Sequence, residues 1–214
     1  MSTTAASMAG RWARLEHAAG PRARVLGFSP VLAAIGLVLY ALVVPNLVAV
    51  PAPLSVPWPL FALFYFFAEA KVIDVHYRGG THTFSLTEVP AVIGLFFVDP
   101  QFYVIGLVVG AFAALVRARQ PLPKVCFNLS LFLVGSVASL IIFHAIASLG
   151  GPFTSPAPID WLAAFAAMLS VSTISAVAIA TVITLSGGAD QFRRLPEALQ
   201  VGALFAVTNT ALAL

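Results

Sequence analysis

The sequence predicts an all-α, polytopic transmembrane helical bundle of about seven segments, the third of them short or re-entrant. Sixty per cent of the residues are hydrophobic and 9% are charged, with a mean hydropathy of +0.99, whereas roughly a quarter of residues in soluble domains carry charge. Long apolar runs recur between connections rich in Pro, Gly and polar residues. All eleven Lys and Arg residues lie in the amino-terminal tail or in alternate connections. Water-soluble folds are excluded on these grounds.

Residues 1–27 form a basic tail with Arg11, Arg14, Arg22 and Arg24, and a short interfacial helix is expected around Arg11 to Ala19. The tail lacks the apolar stretch of about 7–15 residues that a cleavable signal peptide needs. The membrane domain is expected over 28–214. Ser29-Pro30 opens a first helix reaching about Val50, and Pro51, Pro53, Pro57 and Pro59 punctuate an uncharged connection. An aromatic-rich second helix follows from about Trp58 to Ile73, with Glu69, Lys71 and Asp74 at its end. Val75 to Ser85 alternates polar and bulky residues about Gly79-Gly80, which suits a small hairpin.

Leu86 to Phe97 is only twelve residues, and a hydrocarbon core takes about 20 helical residues to cross. This third segment is therefore expected to be short, buried or re-entrant, or extended by its polar flanks. Thr87 is placed to cap it and Glu88 to complement the helix N-terminus. Pro90 sits in the first turn, where a missing N–H costs little. Asp99-Pro100 stops it, since proline disfavours helix in the residue before it. A fourth helix runs from Pro100 to Val116 with Gly106 and Gly110 spaced as GxxxG. That spacing either permits close helix approach or is glycine scattered in a tolerant membrane helix. Further helices are expected from Lys124 to Ala147, from about Trp161 to Leu185, and from about Glu197 to Leu214.

With the amino terminus inside, every Lys and Arg falls on the cytoplasmic side, while the outer connections carry Asp99 and Asp160. That bias predicts a multi-pass protein of the inner, cytoplasmic membrane. The sequence stops within an apolar run, so we expect a further helix and a cytoplasmic output domain beyond it. The pI of about 9.4 comes from these topology-setting residues, and nucleic acid is not an expected partner. The bilayer is; a small-molecule ligand and a homodimer are compatible.

Cys126 is the single cysteine; it excludes an intrachain disulfide and reads as a small packing residue. Candidate sensing or ligand residues are Glu69, Asp74, His76, His82, Glu88, Asn128, His144 and Asn209. The acids and histidines from Glu69 to Glu88 fall within twenty residues. Glu69 and Asp74 are expected on nearly one helix face, with His76 and His82 flanking the hairpin. No fixed-spacing metal motif is present, so no metal or cofactor is assigned, and a polar rim of alternating charges is the alternative. Ionisable groups inside a membrane are costly and tend to have a partner or a cavity. Glu88 suits either a ligand contact or an ion pair with Lys71 or Arg78, and His144 either a functional contact or a place near the outer interface. Asn128, Asn209 and the series Ser170, Ser172, Thr173, Ser175, Thr181 and Thr184 suit a polar interior or helix–helix hydrogen bonds. No nucleophile elbow, P-loop or dinucleotide glycine pattern occurs, so these residues by themselves are not read as an enzyme.

Ser85 to Pro90, Arg117 to Gln120, Lys124 and Phe127 to Leu129, with Thr208-Asn209-Thr210 as a late element, carry a resemblance. They resemble the amino-terminal, MASE-type membrane region of actinobacterial cyclic di-GMP signalling proteins, which precedes GGDEF, EAL or HD-GYP domains. The resemblance implies a membrane sensor or localisation module whose output is diguanylate cyclase or phosphodiesterase activity. No GGDEF or EAL signature is present. The same hairpin is similar to the substrate-binding membrane components of energy-coupling-factor vitamin transporters, from which the chain differs in its extra segments. The expected function is thus a sensory input domain. The alternatives are a transporter substrate-binding component and a passive anchor.

Overall fold

The computed structural model describes residues 27–50, 54–77, 80–151, 157–186 and 191–214, with the backbone alone described for 72–85 and 191. The basic tail and its expected interfacial helix, Arg78, and the side chains of Asp74, His76 and His82 lie outside the described residues. Seven helices are described: α1 (Gly27–Asn46), α2 (Trp58–Ala70), α3 (Glu88–Phe97), α4 (Pro100–Arg117), α5 (Leu122–Ala147), α6 (Pro158–Leu185) and α7 (Leu195–Ala213). A two-stranded antiparallel hairpin, β1 (Val72–Tyr77) and β2 (Gly80–Ser85), joins α2 to α3. The architecture is the expected all-α bundle, and four helices are long and apolar enough to cross a membrane: Gly27–Asn46, Pro100–Arg117, Leu122–Gly150 and Pro158–Leu185.

The hairpin begins earlier than the alternating pattern suggested. α2 ends at Ala70, so Ile73 and Asp74 belong to β1, and Glu69 and Asp74 do not share a helix face. The β-branched pair Val72-Ile73 favours an extended chain over another helical turn. The register pairs Val75 with His82 and His76 with Thr81, so the two histidines are not cross-strand partners.

α2 and α4 pack with their backbones almost touching. A Cβ on Gly106 would lie 2.7 Å from the Phe61 ring and 3.1 Å from the Trp58 carbonyl oxygen, and one on Gly110 would collide with the Ala62 carbonyl. Position 106 therefore faces 58–61 and position 110 faces 62–66, so the two helices run parallel. Of the two readings of the GxxxG spacing, close approach is the one the packing uses. A Cβ on Gly94 would meet both Phe61 and Tyr103 at 2.7 Å, which fits α3 into the same junction. Phe61 and Tyr103 stack there with centroids 5.5 Å apart.

α3 has ten residues, about 15 Å of helix, half of what a span needs. Its ends are satisfied within the protein. The Phe97 carbonyl accepts from Val56 N–H at 2.8 Å, and the Asp99 side chain caps α4 by accepting from Gln101 N–H at 3.0 Å. Thr87 stands at the N-cap position of α3 but has helical dihedrals (φ −67°, ψ −22°) and makes no side-chain cap bond, contrary to its expected role.

α5, α6 and α7 form the second half of the bundle. The fully buried Ala163, Ala164 and Ala167 of α6 leave room for its neighbours, and Ala206 of α7 is equally buried. Gly150 meets Ile159 and Gly135 faces Val171, so α5 and α6 are antiparallel.

Gly110→Leu should cost at least about 1–3 kcal/mol by overpacking the α2–α4 contact, seen as a lower melting temperature in detergent. Gly135→Ala, whose methyl would meet Val171 in ordinary contact at 3.4 Å, should be neutral or stabilising.

Candidate functional site

A polar seam runs from α2 through the start of α3 to α7. Tyr65 lies beside Gly110, whose added Cβ would be 3.1 Å from the Tyr65 Cβ. Gly110 is seven residues before Arg117, so Tyr65 sits about 10 Å inside the arginine end of α4. The Tyr65 phenol is buried, makes a side-chain hydrogen bond with Thr87 and is in electrostatic reach of Glu69 and Glu88. This bond accounts for the hydroxyl of Thr87 that the helix end does not use.

Glu88 follows at the same depth. Its Oε2 accepts a hydrogen bond of 2.9 Å from Asn209 Nδ2, tying the first residue of α3 to the last turns of α7. Asn209 is buried. Among the described residues no Lys or Arg bonds to Glu88, and Lys71 is exposed beyond the end of α2. A neutral amide, rather than Lys71, bonds this carboxylate; Arg78, the other cation considered for it, lies outside the described residues. Next to it, Thr208 donates its hydroxyl to Leu204 O at 2.8 Å, while the fully buried Thr210 hydroxyl has no hydrogen-bond partner among the described residues.

A second buried polar pair lies deeper. Ser139 Oγ donates to Ser136 O at 2.8 Å, which uses its single proton, so Tyr103 is the donor in the 3.2 Å contact with Ser139 Oγ. Sequence reasoning passed over Tyr103 and Ser139, and met Tyr65 only as one aromatic among several. The signal was a phenol inside an apolar helix, which when buried usually finds a hydrogen-bond partner.

His144 is far from this seam, at the opposite end of the bundle. It is buried at 8% exposure, with Nδ1 2.8 Å from Leu140 O and Nε2 3.0 Å from Val48 O. Carbonyl oxygens only accept, so the two bonds exist together when both ring nitrogens carry protons. His144 straps the connection after α1 to α5.

Asn128 donates to Gln120 Oε1 at 3.2 Å, bracing the α4–α5 turn. Ser170, Thr173, Thr181 and Thr184 each donate to a carbonyl three or four residues back, at 2.6–2.8 Å. They line no polar interior and link no helices, because a hydroxyl in an apolar helix reaches its own backbone first. Cys126 is exposed and is not the packing residue expected. Glu69, Glu88 and Asn209 are thus brought into or beside one seam, whereas Asn128 and His144 lie elsewhere.

Comparisons with protein-family models, with curated proteins and with solved structures found no match to this chain.

A double-mutant cycle of Glu88→Ala and Asn209→Ala, read from unfolding in mixed micelles, should give a coupling of about 1–2 kcal/mol; strict additivity would remove the contact from the seam. His144→Phe should destabilise by about 1–3 kcal/mol and speed hydrogen exchange in residues 47–50 before any other segment.

Proposed function

We propose that this chain is the membrane-embedded input domain of a bacterial signalling protein, set in the cytoplasmic membrane with its amino terminus inside. In this reading it controls the synthesis or degradation of cyclic di-GMP by a cytoplasmic catalytic domain. The observation that supports it best is the Glu88–Asn209 bond, an acid–amide contact at membrane depth between a helix too short to span and the last helix. Intramembrane carboxylates are rare and tend to mark function. Among the described residues this one is held by a neutral amide that can let go.

The mechanism follows from that contact. A ligand, or a change in the bilayer, that favours the separated state of α3 and α7 shifts the population towards it by its difference in affinity for the two states. A movement of α7 then passes through a further helix to the cytoplasmic output domain. The distribution of basic residues supports the orientation, and the resemblance at Ser85 to Pro90 and Arg117 to Gln120 supports the choice of output.

The test is made in cells carrying the whole reading frame. Asn209→Leu and Glu88→Gln should change the cyclic di-GMP level several-fold while the membrane abundance of the protein is preserved. A passive anchor loses only stability with these substitutions. Unchanged output and membrane location after deletion of residues 1–214 would overturn the reading altogether. Saturable solute uptake by cells expressing this chain alone would assign it instead to transport.

A further inference from the structure

We propose that the turn between α4 and α5 is a binding site for the phosphate headgroup of an anionic phospholipid. The turn presents three cations in eight residues, Arg117, Arg119 and Lys124, all exposed. Arg119 has φ +50°, in the left-handed region where a Cβ crowds the neighbouring carbonyl. Glycine adopts that conformation without penalty. An arginine at such a position, with its side chain exposed, offers its guanidinium rather than serving the needs of the backbone.

The turn is braced. Arg119 N–H donates to Val116 O at 2.9 Å, Gln120 N–H donates to Leu115 O at 3.3 Å, and the Gln120 side chain accepts from Asn128 Nδ2 at 3.2 Å. The cationic stems therefore leave from a fixed scaffold, which lowers the ordering cost of gripping a ligand. Because α5 and α6 are antiparallel, the exposed Arg193 and Arg194 before α7 lie at the same end of the bundle. The acids described towards this end are Glu69 in the last turn of α2, Asp74 in β1, Glu88 at the start of α3 and Glu197 in the first turn of α7; the α4–α5 turn itself has none.

Position selects the lipid among phosphate carriers. α4 has 18 apolar-rich residues, about 27 Å of helix, close to the roughly 30 Å of a hydrocarbon core. Its terminal arginine therefore stands at headgroup level, where anionic lipids attract juxtamembrane cations. The guanidinium fork matches a phosphate in both charge and geometry. This site is independent of the signalling reading and stands whether or not that reading does.

The experiment is native mass spectrometry of the purified full chain titrated with phosphatidylglycerol or phosphatidylcholine. The wild type should retain phosphatidylglycerol in preference. Arg119→Gly, which suits the left-handed backbone and removes only the side chain, should melt at or above the wild-type temperature in neutral detergent. Its retention of phosphatidylglycerol should fall about fivefold, with phosphatidylcholine unchanged. Equal phosphatidylglycerol retention by the variant and the wild type would overturn the site. So would full competition by millimolar inorganic phosphate, which would show a soluble anion to be preferred. Should Arg119→Gly yield too little protein, the Arg117→Gln/Lys124→Gln pair, which leaves the strained residue in place, is read by the same criteria.

Discussion

The backbone contact between α2 and α4 is the constraint on which the rest of the structure depends. With only hydrogen on Gly110, the Ala62 carbonyl comes within van der Waals reach of the α4 backbone, and Phe61 lies over Gly106 and against Gly94. In hydrocarbon no hydrophobic force draws helices together, so such packing of small residues supplies much of the attraction. The contact also sets depth. It places Tyr65 beside Gly110, and through the Tyr65–Thr87 bond it fixes how far α3 begins below the arginine end. A carboxylate at the first residue of α3 is carried to that depth by packing several residues away.

A helix of ten residues inside a membrane is tolerated because its ends are buried in protein rather than lipid. The Val56–Phe97 bond satisfies one end, and at the other the chain returns from the β1–β2 hairpin. The polar groups near that start form a set with complementary needs: the phenol of Tyr65 with Thr87, and the amide of Asn209 with Glu88. Thr210 breaks the pattern, its buried hydroxyl having no partner among the described residues. Leaving a buried hydroxyl unpaired costs about 1–3 kcal/mol, and the cost falls one residue from the Asn209 contact, on the helix that the proposed mechanism moves.

Much of this architecture was legible from composition and spacing. The apolar runs located the seven described helices, and the short run before Asp99-Pro100 announced a short helix. The alternation around Gly79-Gly80 announced the hairpin, but not its start, because Val72-Ile73 suits an apolar helix end as well as a strand. The site was half legible. Glu88 and Asn209 stood out as polar residues in apolar surroundings, yet their pairing across 121 positions depends on the tertiary packing of α3 on α7, which no local pattern encodes. Ser170, Thr173, Thr181 and Thr184 of α6 misled for the opposite reason: their partners are carbonyls of the same helix, available to any such residue regardless of the fold. His144 was ambiguous because its second acceptor, Val48 O, lies in a connection with no sequence signal of its own.

The strength of the Glu88–Asn209 contact bears on whether it suits a switch. A side-chain hydrogen bond between membrane helices is worth about 1–2 kcal/mol, so making or breaking it alters an equilibrium between two packings roughly five- to thirtyfold. Complete conversion from 1:99 to 99:1 takes about 5.5 kcal/mol, more than this bond supplies. On the proposed reading the contact therefore biases the balance and the stimulus must supply the remainder. An arginine in place of Asn209 would pair more strongly with Glu88 and raise the free energy needed to separate the helices. On the proposed reading the amide holds α3 and α7 together while keeping that separation within reach of a ligand of ordinary affinity.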